Sequence, residues 1–319
     1  MPRIFRKKIR QGTVAAICPG SEGIALAEIR RNKDVPPLLD VCRFLPLEPG
    51  RSEKSLLNSV AGEYHLNRRR CVSLVDLGEY SLLMVEAPDV QPDEMRAAIR
   101  WRIKDLIDFH IDDAVVDVFE VPDTKTPGKN KMLYAVVAHS SAVKQRVDVL
   151  LDADVNLNAI DIPELALRNI AALLPEDAGG VALIYISDYR GLITITRQAT
   201  LYLSRRIEKG LSALPDTVMH DEDPDIIGPW LDNIIVEIQR SLDYYESRYS
   251  QPQVAGIVIT PLAREIPGVA EYITEQLEIP TRVLDVNMLI DTKQPVDNSL
   301  QSECLLAIGA ALRQEDQAS

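Results

Sequence analysis

Two turns in this sequence carry residue types that can hold a phosphate. The first is Cys18-Pro19-Gly20-Ser21, closing the apolar run that begins at Val14. The second is Ser187-Asp188, closing the run VALIYI from Val181. Gly and Ser in a strand–turn–strand hairpin leave backbone N–H groups open to an anion, and the hydroxyl adds a donor. A magnesium–nucleotide site also needs a hard oxygen anion where each first strand ends. Those places hold the neutral Cys18 and Tyr185, and Asp188 falls inside the second turn instead. Gly20, Ser21, Ser187 and Asp188 are therefore the candidate nucleotide contacts, suited at most to metal-free phosphate binding. The four cysteines and four histidines are dispersed without a metal-ligand spacing, so no metal or zinc site is expected. No Ser-His-Asp, Cys-His or paired-carboxylate constellation stands at a local spacing that would mark a hydrolase, so no catalytic residue is expected.

The elements around these turns repeat. VAAICPGSEGIAL and VALIYISDYRGLIT each read as strand, Gly-bearing turn and strand. Each is followed by a third strand-like run, LLDVCRFLP from Leu38 and ATLYLSRRI from Ala199. After the first meander the pattern predicts a helix near Ser52–Tyr64 and a strand from Cys71. A different unit follows: a strand SLLMVEAP stopped by Pro88, then a helix opened by Pro92 with Asp93 and Glu94 in its first turn. Met95, Ile99, Ile103 and Leu106 recur at helical spacing and predict its buried face. Two strands, AVVDVFEVP and MLYAVVAHS, a helix over Ala142–Asp152 and a strand ending at Pro163 complete this unit. In the second half, Leu231, Ile234, Ile235, Ile238, Leu242, Tyr245 and Tyr249 predict one long helix with a buried stripe. A strand, a helix over Gly268–Leu277, another strand and a terminal helix follow.

Strand, strand, strand, helix, strand, helix, strand, helix is the order of a ribonuclease-H-type α/β fold, and its opening occurs twice. The expected fold class is thus a duplicated, two-lobed α/β architecture with a small α/β subdomain inserted in the first lobe. The expected boundaries are a basic tail over 1–13, a first lobe over 14–79 and 163–178, the insert over 80–162, and a second lobe over 179–319. A chain of 319 residues exceeds one typical core, consistent with two lobes. The net charge of −13 excludes a nucleic-acid binder, which needs a basic surface to displace counterions. No apolar run reaches the length of a membrane span, and no apolar signal core follows the first basic residues, so a cytoplasmic protein is expected. Arg3, Arg6, Lys7, Lys8 and Arg10 surround Ile4, Phe5 and Ile9. The plain reading is a solvated tail; the sharper one is a contact with anionic lipid that assists membrane association without securing it.

The quoted runs resemble the actin-like ATPases, and the place of the insert resembles the FtsA and PilM branch. VEAPDVQPDEMRAAIRWRIKDLIDFHIDDAVVDVFEVP, LSRRIEKG, IQRSLDYYES and LLAIGAALR are similar to PilM-type sequences in the same order. NAIDIPELALRNIAALLP is similar to the MSHA-pilus branch, the MshI proteins. The resemblance implies a cytoplasmic component of type IV pilus assembly at the bacterial inner membrane. It implies that the chain holds the cytoplasmic N-terminal peptide of a PilN-like bitopic partner, in a groove between the insert and the first lobe, and so couples to the assembly motor ATPases. It also implies a nucleotide site, which these residues do not complete. The double Gly the family places after a later strand is replaced by Thr260-Pro261-Leu262-Ala263, and the family's ribose-holding Glu and Lys have no match. The expectation is a pseudo-ATPase with no cofactor; the alternative is an ATP-binding protein or ATPase with divergent phosphate loops. Arg205 and Arg206 are expected in ion pairs. For the partner surface the candidates are Leu83, Val85, Trp101, Leu106 and Phe109, some of which must be ordinary core.

Overall fold

The computed structural model describes residues 12–31, 35–91, 94–122, 131–214 and 224–314. The basic residues from Arg3 to Arg10 lie outside that set, as do residues 215–223 of the acidic segment. The chain divides into two compact units: Met1–Leu74, Arg146–Ile170 and Asp285–Ser319 form one, and Val75–Gln145 with Ala171–Leu284 the other.

In the first unit, β1 (Thr13–Pro19), β2 (Gly23–Arg30) and β3 (Leu38–Pro46) form the expected antiparallel meander. β4 (Arg70–Leu74) and β8 (Leu157–Asp161) extend it in parallel on the β1 side, and the two-residue β14 (Asp291–Thr292) adds to β3. The order is β14-β3-β2-β1-β4-β8. Helix α1 (Glu53–Glu63) starts where Ser52 accepts the N–H of Ser55 at 3.2 Å, and buries Leu56, Leu57 and Val60. β8, which the sequence pattern groups with the insert, pairs with β4 instead. Helix α7 (Asn298–Ala311), expected in the second lobe, packs on β1 to β4 of this sheet. Its face of Cys304, Leu305, Ala307 and Ile308 is fully buried, and Gly309 lets it approach helix α4 (Pro163–Ala171), since a Cβ there would lie 2.4 Å from the Ala166 carbonyl oxygen. The Asn169 side chain donates to the Gly309 carbonyl at 2.9 Å, and Arg313 pairs with the buried Asp161. None of the four cysteines is in a disulfide; burial pushes the Cys71 thiol up to about 12, so it stays an inert filler of the core.

The second unit repeats the topology. β9 (Val181–Ile186), β10 (Gly191–Arg197) and β11 (Thr200–Ile207) form the meander, and β12 (Gly256–Ile259) and β13 (Thr281–Val283) add in parallel beyond β9. The order β11-β10-β9-β12-β13 matches β3-β2-β1-β4-β8 strand for strand. That duplicated arrangement is the actin-like fold. Helix α5 (Pro224–Tyr249) buries Leu231, Ile234, Ile238, Leu242, Tyr245 and Tyr249, the predicted stripe, while Ile235 is half-buried. Helix α6 (Val269–Leu277) joins β12 to β13.

The insert contributes a third sheet, β5 (Tyr80–Glu86), β7 (Met132–His139) and β6 (Ala114–Glu120), in the order β5-β7-β6. One face packs against helix α2 (Met95–Ile103) through Val85, Ile99, Ile103, Leu133, Ala135 and Val137. The other face, with Leu82, Met84, Phe119, Met132 and Tyr134, joins the core of β9–β12 and α5. Helix α3 (Ser140–Asp152) leads from β7 back to the first unit, whose core takes in Leu150.

The β10–β11 hairpin turns through Gln198 and Ala199, at φ 51° and 59°. Two successive left-handed residues in a two-residue loop favour Asn-Gly, so Gln-Ala is strained there. The buried Asp177 compensates: its carboxylate accepts from Thr196 Oγ1 at 2.8 Å and from the Ala199 N–H at 2.6 Å. Replacing the pair (Gln198→Asn with Ala199→Gly) should stabilise the protein by about 1 kcal/mol. A thermal melt should rise by about 2 °C; an unchanged or lower midpoint would show that Asp177 already removes the strain.

Candidate functional site

In the first turn, Gly20 and Gly23 bond to each other both ways, N–H of Gly20 to the Gly23 carbonyl at 2.8 Å and the reverse at 3.3 Å. Ser21 is exposed at the tip and Cys18 is half-buried in β1. The Pro19 carbonyl accepts from the Arg146 guanidinium at 2.8 Å, and the Glu22 carbonyl from the Leu47 N–H at 2.8 Å. The turn is thus anchored from behind by β3's end and by α3.

The second turn is closed more completely. The N–H and Oγ of Ser187 both donate to the Arg190 carbonyl, each at 2.8 Å, and the Arg190 N–H returns a bond to Ser187 Oγ at 3.3 Å. The carbonyls of Ser187, Asp188 and Tyr189 accept from the N–H groups of Leu211, Ser212 and Gly210 at 3.0, 2.8 and 3.1 Å. Trp230 Nε1 holds the crossing segment through the Gly210 carbonyl at 3.2 Å. Only the amides of Asp188 and Tyr189 remain without a bond among the described residues, fewer than the several N–H groups that usually cradle a phosphate. Beyond β12, Thr260, Pro261 and Leu262 are all buried, with Leu262 in the core and the Thr260 hydroxyl lacking a hydrogen-bond partner. Among the described residues no group of three or more His, Cys, Asp or Glu is placed to hold a metal ion.

The insert sorts the partner-surface candidates. Val85 is 6 % exposed and belongs to the insert's core, so it is no surface residue; Leu83 and Phe109 are half-buried against the same core. The Phe109 ring lies 4.9 Å from that of His139. Trp101 is 74 % exposed, with Lys104 Nζ 5.4 Å from its ring centroid, and Leu106 is 60 % exposed. Leu106 corrects the predicted stripe. The helix stops at Ile103, whose carbonyl takes the Leu106 N–H in a turn, so Leu106 leaves the buried face that Ile99 and Ile103 keep. Arg205 pairs with Glu237 at 3.1 Å as expected. Arg206 does not join an ion pair among the described residues; it donates to the Tyr80 carbonyl at 2.7 Å and stacks on the Tyr80 ring at 5.0 Å. No sequence signal pointed to that contact, because it joins elements 126 residues apart.

Residues 207–315 match the family model described as type IV pilus assembly protein PilM. No curated protein sequence matches the chain. Among solved structures, the chain is similar to one from a PilM–PilN type IV pilus biogenesis complex, with a TM-score of 0.73 and 20% identity, covering 94% of this chain and 97% of that one. A Bacteroides thetaiotaomicron protein with an actin-like ATPase fold gives a TM-score of 0.49 at 10% identity, over 96% of this chain and 98% of that one. The cytoplasmic domain of EpsL, an inner-membrane component of the Vibrio cholerae type II secretion system, gives 0.46 at 10%, over 95% and 97%. No described helix is long and apolar enough to cross a membrane.

Closure of the second turn depends on Gly210. A Cβ at that position would stand 2.2 Å from the Ser187 carbonyl oxygen and 2.4 Å from that of Asp188. Both neighbours are backbone, so Gly210→Ala should force the crossing segment off the turn and destabilise the protein by about 2–3 kcal/mol. Chemical denaturation checks this; a loss under about 0.5 kcal/mol would mean that the segment lifts freely.

Proposed function

We propose that this chain is a non-catalytic scaffold of a type IV pilus assembly complex, of the MSHA type, and that it holds the cytoplasmic N-terminal peptide of a PilN-like bitopic inner-membrane protein. The match of residues 207–315 to the PilM family model carries the pilus reading. The likeness in fold to a PilM solved with PilN supports a partner of that kind. On this reading the chain works at the cytoplasmic face of the inner membrane, held there by its partner and in contact with the assembly motors. Arg3, Arg6, Lys7, Lys8 and Arg10 add attraction to anionic lipid.

The pseudo-ATPase part of the proposal is supported by chemistry at three places. Cys18 and Tyr185 supply no anionic oxygen to magnesium. The second turn spends its carbonyls and the amides of Ser187 and Arg190 on its own protein, and Thr260–Leu262 are packed into the interior. A working nucleotide site would need these groups turned outward. In the insert, Trp101 and Leu106 present large apolar surface to solvent in a short stretch, which suits an anchor for a peptide.

Two measurements test the proposal. Titration with Mg-ATP, by calorimetry and thermal shift, should show no saturable binding up to about 1 mM, near a typical substrate level; a defined dissociation constant below that would overturn the pseudo-ATPase reading and favour phosphate binding through Gly20, Ser21, Ser187 and Asp188. Capture on the full chain from detergent-solubilised inner membranes should return a single-span protein with a short cytoplasmic N-terminus. Trp101→Ala should weaken that capture by about tenfold or more while leaving the melting temperature unchanged, since truncating an exposed anchor removes binding and not core. Capture equal to that of the unsubstituted chain would place the partner elsewhere.

A further inference from the structure

The two outer edges of the insert's sheet are finished differently. In the β6–β7 ladder the Val121 N–H bonds to the Met132 carbonyl, which fixes the alternation: odd-numbered residues of β6 pair with β7 and even-numbered ones point outward. Part of this outward set is taken, and the rest stands among exposed, charged side chains. The Ala114 carbonyl accepts from the Arg100 guanidinium at 2.9 Å, and the Val118 N–H donates to Asp117 Oδ1 at 3.0 Å. Val115, Asp117 and Glu120 are exposed, and Asp117 pairs with Arg96 and Glu120 with Lys131. An edge carrying charges and a side-chain cap on its own N–H is protected against pairing.

β5 carries one such charge at its far end, Glu86 paired with Arg102 at 3.3 Å, but no side-chain cap on an outward N–H among the described residues. The Ala87 N–H bonds to the Lys131 carbonyl at 2.7 Å, so Ser81, Leu83 and Val85 pair with β7 while Tyr80, Leu82, Met84 and Glu86 point outward. The Tyr80 carbonyl takes the Arg206 guanidinium, but the outward N–H and C=O groups of Leu82, Met84 and Glu86 have no partner among the described residues. Their side chains are half-buried, Leu82 and Met84 against the core of the second unit. Backbone groups in such a place call for a partner, since water reaches them less freely than on an open edge. Arg206 stands at the Tyr80 end, half-buried, with spare donors and no carboxylate paired to it among the described residues. A half-buried guanidinium in that state favours an incoming anion.

We infer that β5 is the docking edge of the insert: an extended apolar segment of the membrane partner adds beside it as a fourth strand, bonding to Leu82, Met84 and Glu86, with a carboxylate on Arg206. This deepens the scaffold reading above and rests on it for the identity of the partner. Main-chain bonds would give the affinity, and the half-buried Leu83, Met84 and the partly exposed Tyr244, whose hydroxyl lies 4.0 Å from Met84 Sδ, would select apolar side chains.

The probe is an acetylated peptide of alternating leucine and threonine ending in glutamate, compared with a twin N-methylated at alternate amides. Fluorescence anisotropy with the full chain should show saturable binding of the first and at least about tenfold weaker binding of the twin. Met84→Pro deletes one outward N–H without touching the β5–β7 ladder and should also cost about tenfold, whereas Met84→Ala, which loses the same side chain, should stay within about threefold. If Met84→Pro fails to fold, hydrogen exchange on the unsubstituted chain decides. Bound peptide should slow the amides of Leu82, Met84 and Glu86 and leave those of Ser81, Leu83 and Val85 unchanged. Equal binding of the two peptides, no saturable binding, or unchanged exchange at the three outward amides would overturn the inference. Loss of the membrane capture with peptide addition intact would sink the pilus-partner reading alone.

Discussion

The carbonyl oxygen of Tyr202 is the joint on which the second unit depends. It accepts the Tyr134 hydroxyl from β7 of the insert at 3.1 Å and the Tyr249 hydroxyl from the end of α5 at 2.8 Å. Both donors are aromatic and largely buried, and the Tyr202 ring meets Tyr245 and Tyr249 edge-on at 5.4 and 5.1 Å. β11 is the edge strand of its sheet, so this carbonyl would otherwise need water or another chain. Spending it on two tyrosines satisfies a carbonyl that the β10–β11 bulge leaves off the ladder, and ties the insert and the long helix to β11. Breaking one bond would leave a buried polar group unpaired, which costs more than the bond contributes when made.

That joint determines what the insert can offer. With one face of its sheet on α2 and the other on the second unit's core, neither face is available to a partner, and only the edges and the outer side of α2 remain. The same economy governs the hairpin at Ser187. The turn is crossed by residues 210–212, and Trp230 holds the crossing from α5. The backbone groups at that turn are directed inward, while those of Leu82, Met84 and Glu86 along β5 have no partner among the described residues.

Much of this was legible beforehand. The two meanders, the Ser52 cap of α1 and the α5 stripe are local or periodic features, and period and capping are written in consecutive residues. That Cys18 and Tyr185 are neutral is likewise read directly from the chain. Val85 and Leu106 were harder. Both are apolar and stand in apolar stretches, yet one is core and the other faces solvent, because the helix ends at Ile103 and the register breaks there.

The sequence by itself determined the duplicated order of elements, the neutral residues at Cys18 and Tyr185, and the amphipathic face of α5. Only the tertiary structure decided that β8 and α7 complete the first sheet's unit, that segment 210–212 seals the second turn, and that Arg206 reaches Tyr80 instead of a carboxylate. The reason is physical. Apolar periodicity says that a face will be buried but carries no information on what will cover it. Hydrogen bonds between residues far apart in the chain exist only once packing has brought their backbones together.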